Sequence, residues 1–120
     1  MLVPRLKKRA NFLAVAATKK FIRTPTMLVQ LRERLADEDP GITLRIGFTT
    51  TRRIGNAVTR NRARRRLRAL VNQTAPMLKL PRPLDLVLIA TATTATAPFP
   101  ALARDFFHAL ERFNLLEKTP

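Results

Sequence analysis

The chain contains no cysteine, tryptophan or tyrosine, three glycines, one histidine and only 8 acidic residues. Without cysteine there are no disulfides, no zinc ribbon and no thiol nucleophile. His108 alone cannot build a histidine metal cluster, and its setting among Phe106, Phe107 and Leu110 reads as one position of an amphipathic helix. Gly41, Gly47 and Gly55 match neither a Walker loop nor a dinucleotide fingerprint. The acids are Glu33, Asp37, Glu38, Asp39, Asp85, Asp105, Glu111 and Glu117. Three crowd one turn and three lie towards the C-terminus, so no acid–base dyad or magnesium triad emerges. Asp85, near the start of an apolar run, reads as a structural residue capping a strand end. The expectation is therefore no catalytic residue, no metal ligand and no cofactor in the polypeptide.

Long apolar runs are missing too. Nothing approaches the roughly 18 residues of a membrane-spanning helix. "MLVPRLKKRANFLAVAA" carries charges and no extended apolar core, which argues against a secretory signal. A cytoplasmic location is the resulting expectation.

Basic residues are abundant. Lysine and arginine number 23, giving a net charge of +15 and a pI near 12.0. Self-repulsion of that size weakens a compact monomer, so a large anion is the expected partner. Between Asp39 and Asp85 there is no acid and there are eleven basic residues. A second cluster, Arg5, Lys7, Lys8 and Arg9, is followed by Lys19, Lys20 and Arg23. Nucleic acid is the leading partner and an anionic membrane surface the weaker one. Arginine outnumbers lysine 17 to 6, which suits bidentate phosphate contacts, although an arginine-biased genome gives the same ratio.

The length fits one domain, residues 1–120. Arg5 to about Ala17 reads as a helix with Leu6, Leu13 and Ala17 on its apolar side and Phe12 and Ala16 nearby. Thr24-Pro25 breaks the chain. Thr26–Leu35 alternates with period two and reads as a strand, Ala36–Gly41 as a turn, and Ile42–Thr51 as a strand with one buried and one wet face. These two strands are expected to pair antiparallel through Pro-Gly. On the wet face, Gly47 marks either a bulge or the close approach of a ligand backbone.

Gly55-Asn56 reads as a turn and N-cap. In the helix that follows, Ala63, Leu67, Leu70, Val71 and Thr74 share one narrow arc, and arginines cover the rest. The pairs Arg60/Arg64, Arg64/Arg68 and Arg62/Arg66 each cost about 0.2–0.5 kcal/mol when exposed. Lys79–Pro83 is a linker, Leu84–Ala90 a central strand and Thr91–Ala97 a loop. A last amphipathic helix carries Leu102, Phe106, Leu110 and Phe113. The order is αβββαβα if Thr50–Ile54 forms a short strand, otherwise αββαβα. Exposed aromatic faces for bases would come from Phe12, Phe21 or Phe48, of which Phe48 has core parity and Phe12 fits either a core or a groove.

The stretch Arg45-Ile46-Gly47-Phe48, continued by "TTTRR" and by Gly55-Asn56-Ala57-Val58-Thr59-Arg60-Asn61-Arg62-Ala63-Arg64-Arg65, closely resembles the protein subunits of bacterial ribonuclease P. So do "RLKKRANF", Arg5 to Phe12, and "DLVLIA" before the last helix, so the resemblance spans almost the whole chain. It implies an α+β single-domain αβββαβα sandwich with a mostly antiparallel central sheet and a left-handed βαβ crossover, a ribosomal-protein-like fold. It also implies a protein cofactor that assists removal of the 5′ leader of precursor tRNA by a catalytic RNA. The partners implied are ribonuclease P RNA and precursor tRNA, with neither DNA nor membrane, and Mg2+ belongs at the RNA active site. Arg60, Asn61, Arg62, Arg64, Arg65 and Arg68 would contact the catalytic RNA. Phe12, Thr49, Thr51, Arg52 and Arg53 would line a leader-binding cleft. Ala16 and Gln30 stand where the family often carries aromatics, while Thr49, Thr51, Arg52 and Arg53 keep the donors of its serine and lysine pattern. The alternatives are a ribosomal or other structural RNA-binding protein and, weaker, a helix-turn-helix DNA binder, whose two adjacent helices this order does not supply.

Overall fold

The near-continuous apolar run Leu84–Ala90 is the strand β4, and it lies inside the sheet with every residue buried or half-buried. Such a strand needs partners on both edges and cover on both faces. The computed structural model describes residues 3–35 and 38–116, and it gives β4 both. The sheet has the order β1-β2-β4-β3, with β1 Phe21–Arg23, β2 Met27–Glu33 and β3 Leu44–Thr49. β1–β2 and β2–β4 are antiparallel, whereas β3–β4 is parallel, so the sheet is mostly antiparallel. The helices are α1 Arg9–Ala17, α2 Ala57–Thr74 and α3 Phe99–Arg112.

Two strand expectations are corrected. β2 and β3 do not form a hairpin; β4 is inserted between them. The residues Ala36 and Asp37 of the expected turn lie outside the described residues. The registers supply the physical reason, because Asp85 of β4 is the cross-strand partner of Arg32 on one side and Arg45 on the other. A direct β2–β3 pairing would bring arginine-bearing faces together, whereas like charges opposite one another destabilise a ladder. The other correction concerns the third strand. Arg52–Ile54 is a 3-10 turn, and the additional strand is β1. Thr24-Pro25 therefore makes a tight hairpin turn, with the Thr24 N–H and hydroxyl both donating to the Met27 carbonyl at 2.9 and 2.7 Å. The order αβββαβα holds with the short strand before β2 instead of after β3.

The main core lies on one face of the sheet. Met27, Val29 and Leu31 of β2, Leu44 and Ile46 of β3, and Leu84, Leu86 and Leu88 of β4 meet Leu102, Phe106, Ala109 and Leu110 of α3. They also meet Ala63, Leu67, Leu70 and Val71 of α2, which with Thr74 are the buried residues expected from its wheel. Asn56 caps α2 by accepting from the Thr59 N–H at 2.9 Å, as expected. Gly55 enters the cap at φ +140, where a side chain is strained. α3 is tied to β2 by Asp105, which accepts from the Thr26 hydroxyl at 2.7 Å and the Thr26 N–H at 3.2 Å. Burial pushes the Asp105 pKa up, but these bonds and Arg104 outweigh it and hold the carboxyl below its ordinary value.

The other face is covered by α1, so it is not the wet face the alternation predicts. Gly47 is buried and in continuous register with Val87, which excludes a bulge. The close approach there is made by the protein itself: a Cβ at Gly47 would lie 2.5 Å from the Phe12 ring. α1 is also shorter than expected. Before it, Arg5 runs alongside Ile46 at the outer edge of β3, with Leu6 N–H donating to the Ile46 carbonyl at 2.7 Å. Leu13 is 56% exposed, and Val15 turns inward against Leu6 and Val87 instead. The apolar stripe misleads because Leu6, one of its anchors, belongs to an extended segment and not to the helix.

Candidate nucleic-acid interface

Arginine occupies two contrasting environments. On the α1 side of the sheet, Asp85 is wholly buried and gathers guanidinium groups around it. Arg45 meets it through two hydrogen bonds of 2.7 and 2.6 Å, and Arg34 Nε stands 3.0 Å away. Arg32 lies at 3.6 Å and is held by Glu38 through a bidentate pair of 2.8 and 2.7 Å. Arg45 adds Asp39 at 2.7 Å. Asp85 is structural, as expected, yet its role is the centre of an ion network and not a strand cap. The Glu38 contact raises the Arg32 pKa, and Arg32 in turn holds the Glu38 carboxyl below its ordinary value. A groove of ≈ 540 Å³ opens beside this network, lined by Arg5, Lys7, Lys8 and Asn11 together with Arg32, Arg45, Glu38 and Asp39.

α2 is different. Arg60 and Arg64 are half-buried, Asn61, Arg62 and Arg65 are exposed, and Arg68 is half-buried on the side nearest Arg5. None of these arginines has a carboxylate within ion-pair distance among the described residues. Arg64 donates to the Thr50 hydroxyl at 2.6 Å and to the Asn61 side-chain oxygen at 3.1 Å, fastening α2 to the end of β3. Burial, then the charges of Arg5 and Arg64, lower the Arg68 pKa. Arg66 is not part of this open surface: it donates to the Thr94 carbonyl at 2.7 Å and to the Ala97 carbonyl, anchoring the loop after β4.

The expected cleft residues fall nearby. Thr49 is half-buried at the end of β3, and Thr51, Arg52 and Arg53 are exposed on the turn leading into α2. Phe12 is half-buried with its ring over Gly47. Ala16 is exposed on α1, and Gln30 is half-buried opposite Phe21. Phe21 is 47% exposed on the edge strand, with the Arg23 guanidinium 6.0 Å from its ring centre. Sequence reasoning missed the Asp85 network and the position of Arg5. The available signal was Asp85 within an apolar strand and Arg32 and Arg45 on the alternate positions of two others.

Fold and surface define a class: a small α+β domain whose arginines are paired on one side of the sheet and left without carboxylates along one helix. The family model for ribonuclease P matches residues 3–114, and the chain belongs to the ribonuclease P protein family. It is 41% identical over 115 residues to the ribonuclease P protein component of Paramagnetospirillum magneticum, covering 96% of this chain and 86% of that relative. It is 43% identical over 111 residues to the one from Gluconacetobacter diazotrophicus, covering 90% and 89%. The fold matches the RNase P protein of Staphylococcus aureus with a TM-score of 0.76 at 19% identity, over 94% of this chain and 97% of that one. For the RNase P protein from Thermotoga maritima the TM-score is 0.72 at 22% identity, over 90% and 96%.

Proposed function

We propose that the chain is the protein subunit of ribonuclease P, which binds the catalytic RNA through α2 and holds the 5′ leader of precursor tRNA beside α1 while the RNA performs the endonucleolytic cut. The observation that carries this reading is the row Arg60, Arg62, Arg64, Arg65 and Arg68 without a carboxylate partner among the described residues, contiguous through Thr50 with the end of β3. A cationic surface that the fold leaves uncompensated is stabilised by a polyanion and releases counterions on binding it. Thr49, Thr51, Arg52 and Arg53, with Phe12, supply hydroxyls, forks and one aromatic ring for a single strand.

Hydrolysis of the phosphodiester is assigned to the RNA with its magnesium ions. The donor set of the described residues does not suit that metal. Among the described residues no three carboxylate or histidine groups converge, and Glu38, Asp39, Asp85 and Asp105 already serve arginine or threonine. The protein contributes binding: it screens repulsion between two RNAs and grips a leader that RNA alone holds weakly. No described helix is long and apolar enough to cross a membrane.

The test is reconstitution with the cognate ribonuclease P RNA. At low magnesium the holoenzyme should cleave precursor tRNA at the 5′ junction faster than naked RNA does. Equal rates would sink the reading.

A further inference from the structure

The outer edge of β3 is where the segment before α1 meets α2, and three arginines converge there. Arg5, Arg64 and Arg68 surround a hollow of ≈ 110 Å³ floored by Phe12, Ile46 and Phe48. Among the described residues no carboxylate lines it. Arg68 Nε is buried and makes no hydrogen bond. The other such atom, Arg34 Nε, has the Asp85 carboxylate at 3.0 Å, so Arg68 Nε is the one buried side-chain polar atom among the described residues with neither a hydrogen bond nor an ion pair. Buried polar groups are ordinarily satisfied, and an unsatisfied charged donor points to a missing acceptor.

The surroundings are preorganised. Arg64 is held by Thr50 and Asn61. The backbone about Arg5 is pinned by Leu6 N–H donating to Ile46 and Ile46 N–H donating to the Pro4 carbonyl, at 2.7 and 2.9 Å. The charges of Arg5 and Arg64 both bear on Arg68. Three guanidinium groups over an apolar floor suit an anion with several acceptor oxygens.

We infer that Arg5, Arg64 and Arg68 form a clamp for one phosphate group of an RNA backbone, at the corner where the α2 surface turns towards Phe12. The inference rests on the RNA-binding reading and deepens it. It adds Arg5, which lies outside α2, and it links the helix surface to the expected leader cleft through one shared phosphate.

The experiment is a double-mutant cycle on the full chain, reading RNA affinity against salt concentration. Arg5→Met and Arg68→Met should each reduce the salt slope by about one unit if the phosphate belongs to duplex RNA, and the double variant should lose little more than either alone. Additive losses mean separate phosphates and overturn the clamp. If Arg68→Met fails to fold, Arg68→Lys replaces it, keeping the charge without the buried Nε, and should weaken binding only while Arg5 is present. Ribonuclease P RNA alone and holoenzyme with precursor tRNA, with and without leader, form separate arms. A loss confined to one arm assigns the phosphate to the catalytic RNA or to the leader. Arg65→Ala separates the clamp from the broader reading: if it lowers the slope while Arg5→Met does not, the clamp is wrong and RNA binding through α2 survives. If neither changes, both fall. Without RNA, Arg5→Met should melt no lower than the parent chain because it relieves like-charge crowding; a lower melting temperature would show that Arg5 is structural and overturn the clamp.

Discussion

The arginines around Asp85 and those along α2 are chemically identical and structurally opposite. Arg34 and Asp85 have wholly buried side chains and Arg45 is nearly so, and each guanidinium in that network faces a carboxylate. Arg62 and Arg65 face water and other cations. The fold has therefore gathered Glu38, Asp39 and Asp85 on one side of the sheet. Where an arginine must be buried, a carboxylate comes with it. Where the carboxylate is missing along α2, the arginine is left available to an external anion, except for Arg66, which backbone carbonyls capture. Sign and density of charge do not separate the two groups; partnership does.

The strongest way to break this contrast is Asp85→Ala. It leaves Arg32, Arg34 and Arg45 around an empty centre, and removing one member of a buried pair costs about 3–5 kcal/mol. Denaturant unfolding should show a destabilisation of that order, whereas Arg65→Ala should stay within about 0.5 kcal/mol of the parent. A mild Asp85→Ala effect would mean that water already reaches the network. On the other side, Arg62→Ala and Arg65→Ala should each lower RNA affinity, with the salt slope falling by roughly one unit for every duplex phosphate the arginine had neutralised. An unchanged slope marks that arginine as merely solvated.

Acid separates the two regions more gently. The Glu38 pKa is lowered by its hydrogen bonds from Arg32, and Asp105 is lowered by Thr26 despite its burial. A carboxyl whose folded pKa is depressed adds stability above its unfolded value and loses it as pH falls through the folded one. Stability should thus decline below about pH 5, with a shallower decline in Glu38→Gln, followed by chemical denaturation across pH. α2 has no acid, so Arg65→Ala should leave the profile's shape unchanged. The smallest effect is repulsion within α2 itself. Arg62→Ala removes the i,i+4 clash with Arg66 and should raise stability by about 0.2–0.5 kcal/mol at low salt, fading at high salt.

Legibility followed the range of the interactions. The buried arc of α2, its Asn56 cap and the burial of β4 depend on nearby positions, and they could be read directly. The strand order could not, because alternation tells which face a residue takes and not which strand lies beside it. Arg32, Asp85 and Arg45 carried that information only as a charge match across distant segments. Arg66 likewise looked the same as its neighbours on the helical wheel, since the carbonyls that capture it belong to Thr94 and Ala97. Gly47 signalled close approach correctly, but the approaching group was Phe12. For the interface, composition pointed to a polyanion and the wheel to the exposed arginines. Family resemblance supplied the kind of RNA, and three-dimensional proximity was needed to bring in Arg5.

The placement of β4 also sets an order in time. Its position between β2 and β3 means that neither can finish its ladder until residues 84–90 have left the ribosome. Before then only short-range structure is available, the α1 and α2 helices and the β1–β2 hairpin, and the arginines at 32, 34 and 45 have yet to meet their central carboxylate. Non-local pairing of this kind makes closure slow and keeps unpaired edges exposed meanwhile. In chain order β4, one of the two inner strands, is the last strand to be made, so the sheet can close only when its own centre is supplied.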